Sequence, residues 1–445
     1  MEQKFFDLIK IFKNRNNVKI ELHYEKIISC LKDKKSIPSV KILDTCRLDN
    51  QKILSLKNID LSSFLTKKDK NYAAFIPAAG ASSRFTKPFH SLFSCLESGQ
   101  LSSTFKEMNE LKKFWPLLSD KTKKIFDKIY LVKDSSSLKV LKEELQESLS
   151  LPKAFWPYNK SGLSFLQKKR QEHLLLDEIV AEVYITPSQR SARFKKILEA
   201  KNQLENKLEL LCFEQGPEFS TIRVCEDKKP YGYDSLEPSL VPAGHGALLN
   251  FFPKVKKSLP HVHSLFIRNI DNVSHCEESF KKVSEDFLNY HSLVLKTVKK
   301  IREYLNSNLW QKAQLEALSF LRVFFKDEKL KESSTCALEL LQERLFNSKV
   351  SKSQSEAEKK KKLIKLYKRP VHSLAQVPSL NGDVGGQPLL VEINGQEQVI
   401  CTELAHLSDE DQNFFFKEKK LSTHFNPVFV ACECSHDLSI FEEAT

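Results

Sequence analysis

The sequence predicts an α/β protein built around a doubly wound, parallel sheet. Short apolar segments with the composition of buried strands recur along the middle of the chain, at 73–76, 183–186, 208–213 and 263–269. Segments with helical spacing of apolar residues lie between them, as at 188–206. Strands that alternate with helices form parallel sheets. In such sheets, ligands bind beyond the carboxyl ends of the strands.

The composition is that of a soluble globular protein with a substantial core. The chain has 445 residues, 41% hydrophobic and 29% charged, which is enough for two or three domains. No apolar run approaches the roughly 18 residues of a membrane span, and the first residues lack the apolar core of a signal peptide. Ten cysteines are scattered without a C-x-x-C pair, so reduced thiols and a cytoplasmic location are expected, with no membrane partner.

The charge balance is basic, with 70 Lys and Arg against 57 Asp and Glu, a net charge of +13. A basic surface suits anionic partners such as nucleotides, phosphosugars or RNA. A lysine-rich surface without any ligand would give the same excess. The net charge alone therefore does not distinguish an anion-binding protein from one with a lysine-rich surface and no ligand.

Four regions follow along the chain. Residues 1–70 are predicted to form a helical N-terminal arm, and 71–275 the α/β core. Residues 276–369 are predicted to be a helical insertion, whose lysine-rich end at 348–369 suits a mobile helix or a linker. Residues 370–445 return to strands that complete the core, with a hairpin at Ile393-Asn-Gly-Gln396.

Four consecutive lysines, at 359–362, mark the end of the helical insertion. They are expected to form a solvated face. The alternative is an RNA site, but charge alone gives only sequence-independent attraction, so nucleic acid is an unlikely partner.

A loop of small residues follows the first strand of the core. The sequence Pro77-Ala-Ala-Gly-Ala-Ser-Ser-Arg84 lets backbone N–H groups approach an anion, and Arg84 adds a planar fork of donors. It is neither a Walker A loop nor G-x-G-x-x-G, because Gly80 is its only glycine. The loop therefore predicts phosphate binding, and an ordinary strand-to-helix turn is the alternative.

Three further motifs contain candidate ligand-binding or metal-binding residues. Leu151-Pro-Lys153 places a lysine on a proline-led turn, where it would reach a phosphate or simply face solvent. Val241-Pro-Ala-Gly-His-Gly-Ala247 suits a loop that passes close to a ligand, or a plain glycine turn. Asp271 follows an apolar strand, where a magnesium ligand belongs, although a helix cap or an Asx-turn would also use it.

The order of these motifs resembles that of the UDP-sugar pyrophosphorylases, and more closely that of domain-of-unknown-function family 4301. The resemblance covers roughly residues 70–430. It is carried by the four motifs above and by Glu172-His-Leu174, Pro242-Ala-Gly-His-Gly-Ala-Leu248, Asn269-Ile-Asp-Asn-Val273, Gly385-Gly386 and Ser422-Thr-His-Phe-Asn-Pro-Val428.

The resemblance implies a nucleotidyltransferase-like fold of the glycosyltransferase-A type, with a mixed sheet. It also implies that Arg84 and Lys153 are catalytic cationic clamps and that Asp271 holds Mg²⁺. The nucleotide would be bound by Ala78, Ala79, Gly80, Ala81, Ser82, Gln215, Gly244, His245 and Gly246. Asn269 would contact substrate, and Glu403, after the strand ending at Ile400, would bind the sugar hydroxyls.

The resemblance implies that the reaction joins a sugar-1-phosphate to a nucleoside triphosphate and releases pyrophosphate. The sequence departs from the family at Phe219-Ser-Thr221, where a carboxylate is missing, at Ser373-Leu-Ala-Gln-Val377, which lacks a Cys-Gly pair, and at Gly385-Gly-Gln387. Two alternatives therefore stay open: a non-catalytic nucleotide or sugar-nucleotide binding protein on the same fold, and an RNA-associated basic protein.

Overall fold

The computed structural model describes residues 40–45, 61, 72–78, 123–124, 143, 152–155, 163–187, 192, 194–196, 198, 208–216, 220–222, 240–242, 248, 250–268, 270, 273–274, 276–325, 336–346, 355–368, 372–376, 387–393, 396–402 and 432–437. The strands are β1 (Val40–Thr45), β2 (Tyr72–Pro77), β3 (Ile179–Pro187), β4 (Glu209–Gln215), β5 (Ser220–Ile222), β6 (Leu240–Pro242), β7 (Ser264–Ile267), β8 (His372–Gln376), β9 (Gln387–Ile393), β10 (Gln396–Thr402) and β11 (Cys432–Asp437). The helices are α1 (Phe165–Leu174), α2 (Phe252–Ser258), α3 (Glu277–Asn306), α4 (Trp310–Phe324), α5 (Ala337–Phe346) and α6 (Glu356–Tyr367), with a short 3-10 turn at Lys153–Phe155.

The main sheet has six strands in the order β4-β3-β2-β7-β11-β8. The first four are parallel to one another. β11 runs antiparallel to both of its neighbours. The sheet is therefore mixed around a four-stranded parallel core, which confirms the predicted α/β class.

Helices cover both faces of this sheet. Alternate residues of β3 point to opposite faces, as the two-residue period of a strand requires. Ala181, Val183 and Ile185 pack with Phe252 and Val255 of α2 on one face. Tyr184 lies on the other face, in a core that includes α1 and α3. This two-sided cover is the doubly wound arrangement that the sequence predicts.

The helices of region 276–369 share one core with the sheet. The Tyr72 hydroxyl donates a hydrogen bond to the Leu288 carbonyl of α3, at 3.0 Å. The rings of Phe266 on β7 and Phe287 on α3 lie 6.0 Å apart. Asn308 has a positive φ of 56° in the turn from α3 to α4, a conformation that asparagine tolerates. The insertion therefore packs directly on one sheet face.

One prediction for the outer regions needs correction. Residues 40–45 form β1, a strand, inside the region predicted to be helical, because Val40-Lys-Ile-Leu-Asp-Thr45 carries β-branched residues that favour extended backbone. β1 pairs with β9, and β9 pairs with β10 across the predicted Asn-Gly hairpin. The lysine-rich region predicted as a mobile helix or a linker contains α6, which buries Leu363, Leu366 and Tyr367.

Within the described residues, none of the helices is long and apolar enough to cross a membrane.

Candidate functional site

The strand order creates a topological switch point between β2 and β7. From β2 the chain adds β3 and then β4 on one side, and later places β7 on the other side of β2. The Arg268 N–H donates to the Phe75 carbonyl at 3.0 Å, so the pairing of these two strands extends to the end of β7. The segments that follow β2 and β7 therefore leave adjacent strands at the same edge. Ligands of doubly wound sheets bind at such a point.

Three of the predicted site residues lie among the described positions. Ala78 is buried after β2, and its N–H donates to the Ile185 carbonyl at 2.8 Å, so that donor belongs to the sheet. Gln215 is the half-buried last residue of β4, at the same edge as Ala78 with β3 between them. Lys153 opens the 3-10 turn at Lys153–Phe155, and only its backbone is described.

The remaining predicted residues lie outside the described residues: Ala79, Gly80, Ala81, Ser82, Arg84, Gly244, His245, Gly246, Asn269, Asp271 and Glu403. Their chain positions relative to described strands are nevertheless defined. The 79–84 segment follows β2, and 269–272 follows β7. Glu403 directly follows β10, which ends at Thr402 and not at Ile400 as predicted.

A helix made largely of charged residues is buried against the sheet beside the switch point. α1 begins with a capping box, in which the Ser164 hydroxyl accepts from the Gln167 N–H at 3.2 Å and the Gln167 side chain accepts from the Ser164 N–H. Lys169, Glu172 and His173 on this helix are fully buried. Burial of charge is unfavourable unless the charges are paired.

The Glu172 carboxylate pairs with two cations and one backbone donor. Its Oε2 lies 2.9 Å from a terminal guanidinium nitrogen of Arg268 and 3.6 Å from the Lys169 ammonium. Its Oε1 accepts a hydrogen bond from the Ser274 N–H. Burial alone would raise the pKa of Glu172, but Lys169 and Arg268 outweigh it and hold the pKa below its usual value. Glu172 is therefore ionised at neutral pH.

Arg268 connects three elements through this pairing. It follows β7, binds Glu172 of α1, and places its guanidinium carbon 4.5 Å from the ring centroid of Phe280 on α3. A cation over an aromatic face is favourable, more so when it is removed from water. The end of β7 is thereby fixed against α1 and α3.

A second buried pair lies next to the first. His173 Nδ1 lies 2.7 Å from a carboxylate oxygen of Glu182, in the middle of β3, and Arg170 pairs with the same carboxylate at 3.2 Å. Burial raises the pKa of Glu182 to about 7, against the opposing effect of Arg170. Burial and the nearby Arg268 and Lys169 charges lower the pKa of His173 well below its usual value.

Below about pH 7 the titrating proton of this pair therefore lies on Glu182, while His173 stays neutral. Both side chains are 0% exposed, so neither reaches a solvent-borne substrate in this conformation. The arrangement suits a positioning role behind the sheet edge better than direct proton transfer to a substrate.

The sequence predicts no role for these residues, although Glu172 and His173 belong to the family pattern. Gln167-Lys-Lys-Arg-Gln-Glu-His173 has no apolar stripe, so it has the pattern of a solvated helix face. One signal was available: Glu182 interrupts Ile179-Val-Ala-Glu-Val-Tyr-Ile185, a run otherwise typical of a strand buried on both faces.

The metal prediction depends on the segment after β7. Among the residues that the structure describes, no group of three or more His, Cys, Asp or Glu side chains is placed to hold a metal ion. The sequence Asn269-Ile-Asp-Asn272 supplies amide and carboxylate oxygens, which are the donors that Mg²⁺ prefers. The donor chemistry of this segment therefore fits the metal.

The comparison with protein families agrees with the order of motifs in the sequence. No curated protein matches the chain. One family model, described as "Domain of unknown function (DUF4301)", matches residues 13–439, nearly the whole chain. With this match, and with an α/β sheet whose switch point lies where the motif segments emerge, the chain belongs to the DUF4301 family.

Proposed function

We propose that the chain is a nucleotidyltransferase-like enzyme that forms a nucleoside-diphosphate sugar from a sugar-1-phosphate and a nucleoside triphosphate. The observation that carries this proposal is the switch point between β2 and β7. The small-residue loop with Arg84 follows one of these two strands, and Asn269 and Asp271 follow the other. The segments proposed to bind phosphate and metal thus follow adjacent strands at one edge of the sheet.

The proposed roles follow from the charge of the reactants. Arg84 binds triphosphate oxygens through its guanidinium, and Lys153 adds a point charge. Asp271 holds Mg²⁺, which when bound neutralises charge on the phosphates. Because the incoming phosphate is itself the nucleophile, the protein mainly positions and stabilises the reacting groups.

Substrate recognition uses the rest of the sheet edge. Gln215, the last residue of β4, is proposed to read the base. Gly244 and Gly246 allow the loop that carries His245 to pass close to the nucleoside. Asn269 and Glu403 are proposed to contact the sugar phosphate.

The first test measures binding by calorimetry with each nucleoside triphosphate in Mg²⁺. The Arg84→Ala variant is expected to weaken binding at least tenfold. Arg322→Ala is the matched control, because Arg322 is an exposed arginine on α4. Equal affinity of the two variants in well-folded protein would exclude the phosphate role of Arg84.

The second test measures pyrophosphate release from triphosphate and a panel of sugar-1-phosphates. Asp271→Asn is expected to abolish Mg²⁺-dependent release. Asp177→Asn is the control, since Asp177 is exposed and precedes β3, at the opposite end of the strands. Triphosphate binding without any release, from the parent protein and the whole panel, would favour a non-catalytic nucleotide-binding protein.

A further inference from the structure

The Glu172 carboxylate contacts both ends of the segment that contains Asp271. One oxygen pairs with the side chain of Arg268, the residue directly after β7. The other accepts from the N–H of Ser274, two residues before Cys276 at the start of α3. A single fully buried side chain therefore bridges positions 268 and 274.

Each end of this segment is also fixed by another contact. The Arg268 N–H belongs to the ladder between β2 and β7, through the Phe75 carbonyl. The Ser274 hydroxyl donates to the Cys276 carbonyl at 3.0 Å and accepts from the Cys276 N–H at 3.2 Å. Ile270 and Val273 are buried. Glu172 joins these two ends to each other.

We infer that Glu172 is a positioning residue of the switch-point site: by bridging Arg268 and Ser274 it fixes the distance between these two residues, which flank Asp271 in the sequence. The metal-binding part of this inference rests on the proposed function. Glu172 acts through the backbone of that segment and does not itself contact substrate or metal.

Glu182 provides the matched comparison. It is also a fully buried carboxylate, and it is also paired with α1, through Arg170 and His173. Its partners Arg170, His173 and Tyr184 lie on α1 and β3, outside 268–274. General loss of stability is expected from either carboxylate, whereas loosening of 268–274 is expected from Glu172 alone.

The first experiment is hydrogen exchange of the full-length protein, read at the amides of 268–276. Glu172→Ala is expected to accelerate exchange of the Ser274 amide at least tenfold more than Glu182→Ala does. Glu172→Gln should give an intermediate effect, because its amide oxygen still accepts from the Ser274 N–H while its charge is lost. Equal acceleration in the Glu172→Ala and Glu182→Ala variants would overturn the inference.

If Glu172→Ala fails to fold, the double variant Glu172→Gln with Arg268→Met replaces it, since it removes both charges of the closest pair. Faster exchange at 268–276 in the folded double variant supports the inference. Parent-like protection in that variant overturns it.

The second experiment titrates Mn²⁺, as a substitute for Mg²⁺, by calorimetry without nucleotide. Parent protein is expected to bind, Asp271→Asn to lose binding, and Glu172→Ala to bind at least tenfold more weakly. Glu182→Ala should stay within threefold of the parent. Parent-like Mn²⁺ affinity in Glu172→Ala would overturn the positioning role. If the parent binds no Mn²⁺, the proposed metal ligand is wrong, and the exchange result alone decides whether Glu172 fixes the segment.

Discussion

At the scale of single residues, His173 and Glu182 form a pair whose proton count hardly changes on folding. In the folded chain, the pair carries one proton below about pH 7, because the pKa of Glu182 is raised to about 7 while that of His173 is lowered well below 6.5. In the unfolded chain, the imidazole takes one proton below its ordinary pKa of 6.5, and the carboxyl stays ionised above about 4.5. Between these pH values, the pair contributes little pH dependence to stability.

When one partner is removed, the titration of the other is expected to make the free energy of unfolding depend on pH. In Glu182→Gln, the folded chain keeps His173 neutral while the unfolded chain binds a proton below pH 6.5. The free energy of unfolding relative to the parent should therefore fall as the pH is lowered below 6.5, by up to about 1.4 kcal/mol per pH unit. Urea unfolding at half-unit pH steps measures this slope.

The reciprocal variant should show a stability slope against pH of the opposite sign. In His173→Gln, the folded chain retains the Glu182 proton up to about pH 7, whereas the unfolded chain loses it above about pH 4.5. Stability relative to the parent should therefore fall as the pH rises through this window. Slopes of the same sign in the two variants would contradict a pair that shares one proton.

The end of a strand could be predicted from the sequence, but the pairing of the buried charges could not. The position of Ala78 after a buried strand followed from Ala73-Ala-Phe-Ile76 and the small residues after it. The role of Glu172 depends on Arg268 and Ser274, about 100 residues further along the chain. No local spacing encodes a pairing over that distance.

At the scale of elements, two helices begin with capping boxes in different surroundings. α1 is buried and carries the charged network, whereas the start of α6 is exposed. Ser164→Ala should lower the free energy of unfolding by about 1–2 kcal/mol, because the partly buried Gln167 N–H at the helix start loses its acceptor. Ser355→Ala should cost no more than about 1 kcal/mol. Urea unfolding of both variants checks the difference, and a larger effect at Ser355 would contradict it.

The lysine run lies in α6, where two of its four residues, Lys359 and Lys362, are half-buried. Lys360 and Lys361 are exposed, and the Lys360 ammonium lies 5.2 Å from the ring centroid of Trp310. Replacing the four lysines at 359–362 with glutamine should change RNA retention little at low or moderate salt. A large drop with a shallower salt slope would instead indicate a true phosphate-binding surface.

At the scale of the whole molecule, the sheet and the helices after β7 are expected to unfold together, because they share one core. Phe287 is fully buried between α3 and β7. Phe287→Ala should lower the free energy of unfolding by about 3–5 kcal/mol. Circular dichroism and tryptophan fluorescence should still report coincident transitions. Separate transitions would show that the helices form an independent unit.

The α/β class and the four parallel core strands could be predicted from the sequence. β2, β3, β4 and β7 are apolar runs, and segments with helical spacing separate them. The assembly of the remaining strands was not. β8 and β11 join the main sheet, whereas β9 and β10 pair with β1, although β8–β11 all come from 370–445. Pairing partners that distant are selected by tertiary packing, and short strands such as Val40–Thr45 leave only a weak local pattern.

The place of β11 between β7 and β8 has a consequence for synthesis on the ribosome. Cys434 pairs with Ile267, so roughly 160 residues must be made after β7 before its free edge meets its neighbour. At translation rates of about 5–20 residues per second, that edge waits on the order of ten seconds or more. An unpaired strand edge is a template for pairing with other chains. The nascent protein is therefore most exposed to aggregation during this interval, and chaperone binding at β7 would be most useful then.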